Sequence, residues 1–194
     1  MKVQLSEARL LIYLVILLLM NGCATAIITG AATGATAIHD RRTTGTFIED
    51  EAIELKAIRE FYFDEEIKTS AHINVTSYNL VVLITGEAPT EELKQRIFNI
   101  VKNIPKVTHV YNELTIAAPS AFVSRTSDSL ITAKVKTKLL TLKNFDGTRV
   151  KVVTEKGVVY LMGILTREEA DRATEDARTT GGAQKIVKMF QYLN

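Results

Sequence analysis

The chain carries one sequence twice. "HINVTSYNLVVLITGEAPTEE" (His72 to Glu92) lies over "RVKVVTEKGVVYLMGILTREE" (Arg149 to Glu169) without a gap. Ile73, Val75, Val82, Ile84 and Gly86 pair with Val150, Val152, Val159, Leu161 and Gly163. A fixed internal period means a unit built twice, and any fold must accommodate both copies. Apolar residues alternate in each half of each copy, so each copy predicts two strands with one buried face. The turns fall at "SYNL" and "TEKG", where Asn79 and Gly157 or its neighbour can take positive φ. Thr90 and Thr166 then read as helix N-caps, and Thr166 with Glu169 makes a capping box. The first of these helices has its apolar stripe at Leu93, Ile97, Ile100, Val101 and Ile104; the second has only Ala170, Ala173 and Ala177. A last strand follows in each, "KVTHVYNELTIA" and "AQKIVKMFQYL".

Upstream of each strand pair lies a segment whose reading is less direct. "SLITAKVKTKLL" (Ser129 to Leu140) places Lys134, Lys136 and Lys138 at every second residue, as on a strand. Ile131, Val135 and Leu139 fall at helical spacing instead. The repeat decides between them. "DEAIELKAIREFYF" overlays this region with Asp50 on Asp128, and Ile53, Ala57 and Phe61 on Ile131, Val135 and Leu139. That copy has no alternation, so both are helices. The expected fold class is α+β: two tandem α-β-β-α-β units, each a small three-stranded sheet with two helices on one face. Units this small have thin cores and are expected to lean on each other.

The N-terminus has Lys2 and Arg9, then an apolar run from Leu10 to Met20, the outline of an export signal. Eleven residues fall short of the ~20 that span a bilayer. An uncleaved anchor running on into "CATAIITGAATGATAI" is the alternative. "LMNGC" is similar to the lipobox of bacterial lipoproteins, with small Gly22 before Cys23, the chain's single cysteine. The resemblance implies cleavage before Cys23, acylation of its thiol and amine, and, with Ala24 next, delivery to the outer membrane. The expected divisions are 1–22 signal peptide, 23–48 lipidated N-terminus and flexible tether, 49–117 first unit, 118–127 linker and 128–194 second unit.

Two alternating strands ending in Gly, a helix, and then Val107, Val110, Asn112 and Leu114 as V-x-x-V-x-N-x-L resemble the BON domain. The second copy is looser, with Ala183, Ile186, Lys188 and Phe190 at those places. Together with the lipobox, "DRRTTGT", "INVTSY" and "VVYLMG", the chain resembles the dual-BON outer-membrane lipoproteins. That resemblance implies a non-catalytic protein on the periplasmic face of the outer membrane. Such a protein supports envelope integrity, collects at division sites and binds anionic phospholipid through the first helix of the second BON unit. The implied docking residues are Leu130, Lys134, Lys136 and Lys138. The family often has Trp where this chain has Leu130, and this chain has no Trp.

Charge supports the same expectation independently. The net charge of +2 hides a first unit near −4 (50–117) and a second near +4 (128–194). A basic module held near a bilayer is drawn to anionic headgroups by about 1 kcal/mol per cation. Opposite signs also favour docking of the two units. The plainer reading of the lysines is a solvated helix face.

Chemistry has few candidates. His39, His72 and His109 share no metal-ligand spacing, and the acids of Glu49 to Glu51 and Asp64 to Glu66 read as solvated. No phosphate-binding glycine loop or nucleophile elbow occurs. The expectation is no enzyme, no cofactor, no metal, no small-molecule substrate and no nucleic acid. The partners expected are an anionic phospholipid membrane and outer-membrane assembly or division proteins. The rival function is a protein-interaction module or chaperone-like factor assisting outer-membrane protein assembly.

Overall fold

The computed structural model describes residues 40–119 and 122–193. The export signal, Cys23 and His39 lie outside the described residues. Two α-β-β-α-β units follow one another, as the repeat implies. The first comprises α1 (Thr44–Phe63), α2 (Glu65–Ser70), β1 (His72–Tyr78), β2 (Val81–Ala88), α3 (Glu91–Lys102), β3 (His109–Asn112) and β4 (Thr115–Ile116). The second comprises α4 (Phe122–Thr141), a 3-10 turn (Gly147–Arg149), β5 (Lys151–Glu155), β6 (Val158–Leu165), α5 (Arg167–Arg178) and β7 (Lys185–Tyr192).

In each unit the middle strand pairs antiparallel with the strand before it and parallel with the strand after its helix. The hairpins close through two residues with positive φ, Asn79 and Leu80 in one and Lys156 and Gly157 in the other. That is the turn whose twist matches a right-handed hairpin. Each turn is held by an acid from the unit's first helix. Asp128 accepts the backbone N–H groups of Lys156 and Gly157 at 2.8 and 2.9 Å. Asp50 accepts those of Asn79 and Leu80, both at 2.8 Å, and the Ser77 hydroxyl at 2.7 Å. Asp50 is only 1% exposed, so the expectation of a solvated acid run at 49–51 fails at its middle member. The Asp50–Asp128 correspondence is a structural device and not a surface coincidence.

Three further details depart from the sequence reading. Both first helices begin six residues early, at Thr44 and Phe122. Thr43 caps α1 by accepting the Thr46 N–H, a local signal that carries no apolar periodicity. The first unit also has the extra helix α2, capped by Asp64 and seated by buried Ile67. Its last strand is split into β3 and β4, and both keep one register against β2. The break lies opposite Gly86, whose φ of 116° bends β2; a Cβ there would sit 2.0 Å from the His72 carbonyl oxygen. Gly163 has ordinary φ, and β7 runs unbroken for eight residues.

The core stripes are those the spacing gives. Ile53, Ala57 and Phe61 pack with Leu93, Ile97 and Val101 on Val82 and Ile84. Ile131, Val135 and Leu139 pack with the three alanines of α5 on Val152, Val159 and Leu161. The other sheet faces are not solvated, as strand alternation alone suggests. They stack on each other: Tyr78 and Leu83 from the first unit meet Tyr160, Met162 and Met189 from the second. The order of layers is helices, sheet, sheet, helices. At roughly 1.5–3 kcal/mol per large side chain, this burial is the main force joining the units. The ion pair of Lys151 with Glu54, 2.9 Å and partly exposed, adds at most about 1 kcal/mol and sets register more than strength.

The segment expected to be tether is engaged from residue 40 onward. Arg42 donates to Asp40 and to Asp50 (2.8 Å) and stacks over the Tyr78 ring at 4.2 Å. Burial, with Asp40 nearby, pushes the Tyr78 phenol up to about 12. Arg41 donates to both oxygens of Glu169, at 2.6 and 2.8 Å, and to the Ile164 carbonyl. One arginine thus grips each unit.

This clasp gives a pH dependence. The Arg41 hydrogen bonds, helped by the Thr166 N–H and Arg149, hold the Glu169 carboxyl at about 2, against an ordinary 4.5. The folded state then binds fewer protons than the unfolded chain. Its stabilisation is complete above about pH 4.5 and is lost as pH falls toward 2. Denaturant unfolding between pH 6 and pH 3 is expected to show this loss, and Glu169→Gln should flatten that part of the profile.

Candidate functional site

Helix α4 positions the residues the sequence singles out. Asp128 ties its first half to the β5–β6 turn, and Ile131, Val135 and Leu139 seat its inner face. The outer face is therefore fixed. Leu130, Ala133, Thr137 and Leu140 follow each other at 3-4-3 spacing along one line of that face. Leu130 and Leu140 are each 59% exposed. Lys134 flanks the line on one side and Lys136 on the other, both exposed.

Lys138 does not join them. Its Nζ donates to the Thr179 hydroxyl at 2.7 Å and to the Asp176 carbonyl at 3.3 Å, at the C-terminal end of α5. A cation there complements the helix dipole and shares the Asp176 carbonyl with the Thr179 hydroxyl. The sequence places Leu140 on the Lys136 flank of the helix without naming it a docking residue, and the structure sets it on the same line as Leu130. The signal was available: residues 130, 133, 137 and 140 share one helical line opposite the core stripe.

The equivalent outer face of α1 is built differently. Ile48, Leu55 and Tyr62 recur every seven residues, with Ile58 and Phe63 beside them, all more than half exposed. Yet α1 carries five acids against two bases, whereas α4 carries four bases against Asp128 alone. Both first helices offer apolar outer surfaces, but the surrounding charge has opposite sign. Among the described residues no helix is long and apolar enough to cross a membrane.

A second cluster was missed because its members are distant in sequence. His72 Nδ1 lies 3.1 Å from Glu87 Oε2, and Glu155 comes in from the second unit. His72 and Glu155 border a cleft between the units that Asn74, Thr76, Asp128 and Thr132 also line. Glu87 is fully buried and pairs with Lys156 Nζ at 2.9 Å. Burial, with Glu87 and Asp128 nearby, outweighs an Asn74 hydrogen bond and raises the Glu155 carboxyl.

The family model described as "BON domain" matches residues 49–118 and 127–194. The chain belongs to the BON-domain family. Each match falls on one of the two α-β-β-α-β units and begins five residues inside its first helix. Over 175 residues the chain is 37% identical to "Outer membrane lipoprotein DolP" of Haemophilus influenzae, covering 90% of this chain and 91% of that one. It is 36% identical over 154 residues to "21 kDa hemolysin" of Actinobacillus pleuropneumoniae, 79% of each chain. It is 28% identical over 145 residues to "Osmotically-inducible protein Y" of Escherichia coli, covering 73% of this chain and 72% of that one. The expected outer-membrane lipoprotein character agrees with the name of the Haemophilus relative.

Proposed function

We propose that this BON protein is anchored at the periplasmic face of the outer membrane through acylated Cys23. There it lays α4 on anionic phospholipid and supports envelope integrity, including at division sites. The observation that carries this reading is the outer face of α4. Two exposed leucines on one line lie between two exposed lysines, on a helix whose inner face is fixed in the core. Leucine side chains enter the acyl boundary while flanking lysines meet phosphates, the division of labour of an interfacial helix. Leu130 lacks the interfacial preference of an indole, and Leu140 supplies a second apolar contact about 15 Å along the helix. The first BON domain, acidic and stacked on the second, acts as a spacer.

Vesicle flotation of residues 40–194 tests this. Binding is expected to phosphatidylglycerol vesicles, to fall steeply with salt, and to be absent from phosphatidylcholine. Equal binding to both lipids would sink the electrostatic part of the reading.

The second reading is a protein-interaction module assisting outer-membrane protein assembly. The exposed stripe of Ile48, Leu55, Ile58 and Tyr62 on acidic α1 favours it. Negative charge there opposes an anionic bilayer and suits a basic or apolar protein surface. Crosslinking from α1 in cells, with a dominant protein adduct and no lipid dependence at α4, would make this the primary function.

A further inference from the structure

We propose that His72, Glu87 and Glu155 form a divalent transition-metal site between the two BON domains, one whose ligand set suits Zn2+. One candidate ligand atom from each residue lies within 4.8 Å of the other two. The His72 Nδ1 to Glu87 Oε2 separation of 3.1 Å is already close to an edge of a zinc tetrahedron, about 3.3 Å for ligand bonds near 2.05 Å. Only Glu155, beside the β5–β6 turn, must close in, by at most about 1.5 Å. One imidazole and two carboxylates fit Zn2+; Ca2+ and Mg2+ prefer all-oxygen shells.

The surroundings have the character of a supporting shell. Glu87 is 0% and Glu155 7% exposed. Two carboxylates that deep and that close are costly without cationic compensation. Lys156 supplies one charge, through Glu87 Oε1, and so turns Oε2 toward His72. Asn74 Nδ2 donates to Glu155 Oε2 at 3.1 Å and orients that carboxylate. Hydrogen-bond donors behind the ligands fix ligand oxygens in this way in metal sites. The inter-unit cleft lined by His72 and Glu155 provides a route from solvent and room for a water as fourth ligand. His72 and Glu87 are a cross-strand pair of β1 and β2, and Glu155 belongs to β5. The ion would therefore bolt one domain to the other.

The test uses the full mature lipoprotein in detergent micelles, stripped with chelator and titrated with ZnCl2. One Zn2+ per chain is expected by native mass spectrometry, with a Tm rise of about 5 °C at a hundredfold excess over Kd. Affinity should fall at least tenfold in His72→Gln and in Glu155→Gln, and be unchanged in His109→Gln. Mg2+ should not substitute. Unaltered affinity in both ligand variants, or no stoichiometric binding, would overturn the site. A readout independent of variants is the imidazole NMR signal of His72 in the unmodified chain. It must shift with Zn2+ while that of His109 stays in place, and an unmoved His72 ring rejects the proposal.

Discussion

Asp50→Ala is expected to destabilise the first BON domain by about 3–5 kcal/mol, enough to unfold it near physiological temperature. The reason is the number of groups that one carboxylate satisfies. It accepts two turn amides, the buried Ser77 hydroxyl and the Arg42 guanidinium, each at 2.7–2.8 Å. Removing it leaves two N–H donors and a buried cation without that acceptor, and each deficit costs more than the lost bond was worth. Leu80 holds φ at 65° in the turn that Asp50 clamps, a conformation that relies on those bonds. Asp50→Asn should be milder, because an amide oxygen still accepts. Thermal unfolding by circular dichroism checks both. A loss below about 1 kcal/mol for Asp50→Ala would mean that water replaces the carboxylate.

The second large effect is on membrane binding. Reversing Lys134 and Lys136 to Glu changes the charge of the α4 surface by four units. At about 1 kcal/mol per unit near an anionic bilayer, partitioning should fall roughly 100- to 1000-fold. Lys138→Glu should do something else. Its ammonium is spent on the end of α5, so the expected result is lower stability with a smaller loss of binding. Flotation and melting of the same three proteins separate the two roles. If Lys138→Glu matches the double variant in binding and leaves Tm unchanged, its assignment to α5 is wrong.

These two cases mark what the sequence makes legible. Patterns carried by side-chain period were readable: the stripes of α1, α3, α4 and α5, the caps at Thr90 and Thr166, and the two hairpin turns. The overlay on the first copy also turned the lysine alternation of "SLITAKVKTKLL" into a helix. What periodicity does not encode was missed. Strand alternation gives which face is apolar but not what covers the other, so stacking of the two sheets through Leu83, Tyr160 and Met162 was invisible. Asp50 looked solvated because the turn groups it holds sit 27 to 30 residues away. Lys138 and Lys134 are both exposed-looking lysines four residues apart, and only the end of α5 distinguishes them. His72, Glu87 and Glu155 come together only once the two domains are docked.

The pair Arg41 and Arg42 has a mechanical consequence. Arg41 grips Glu169 in the second domain and Arg42 grips Asp50 in the first. Asp40, one residue earlier, is bonded to Arg42, so tension arriving along the chain from the N-terminal side loads both domains together. The junction between the domains is thus pressed into service before either one is peeled apart.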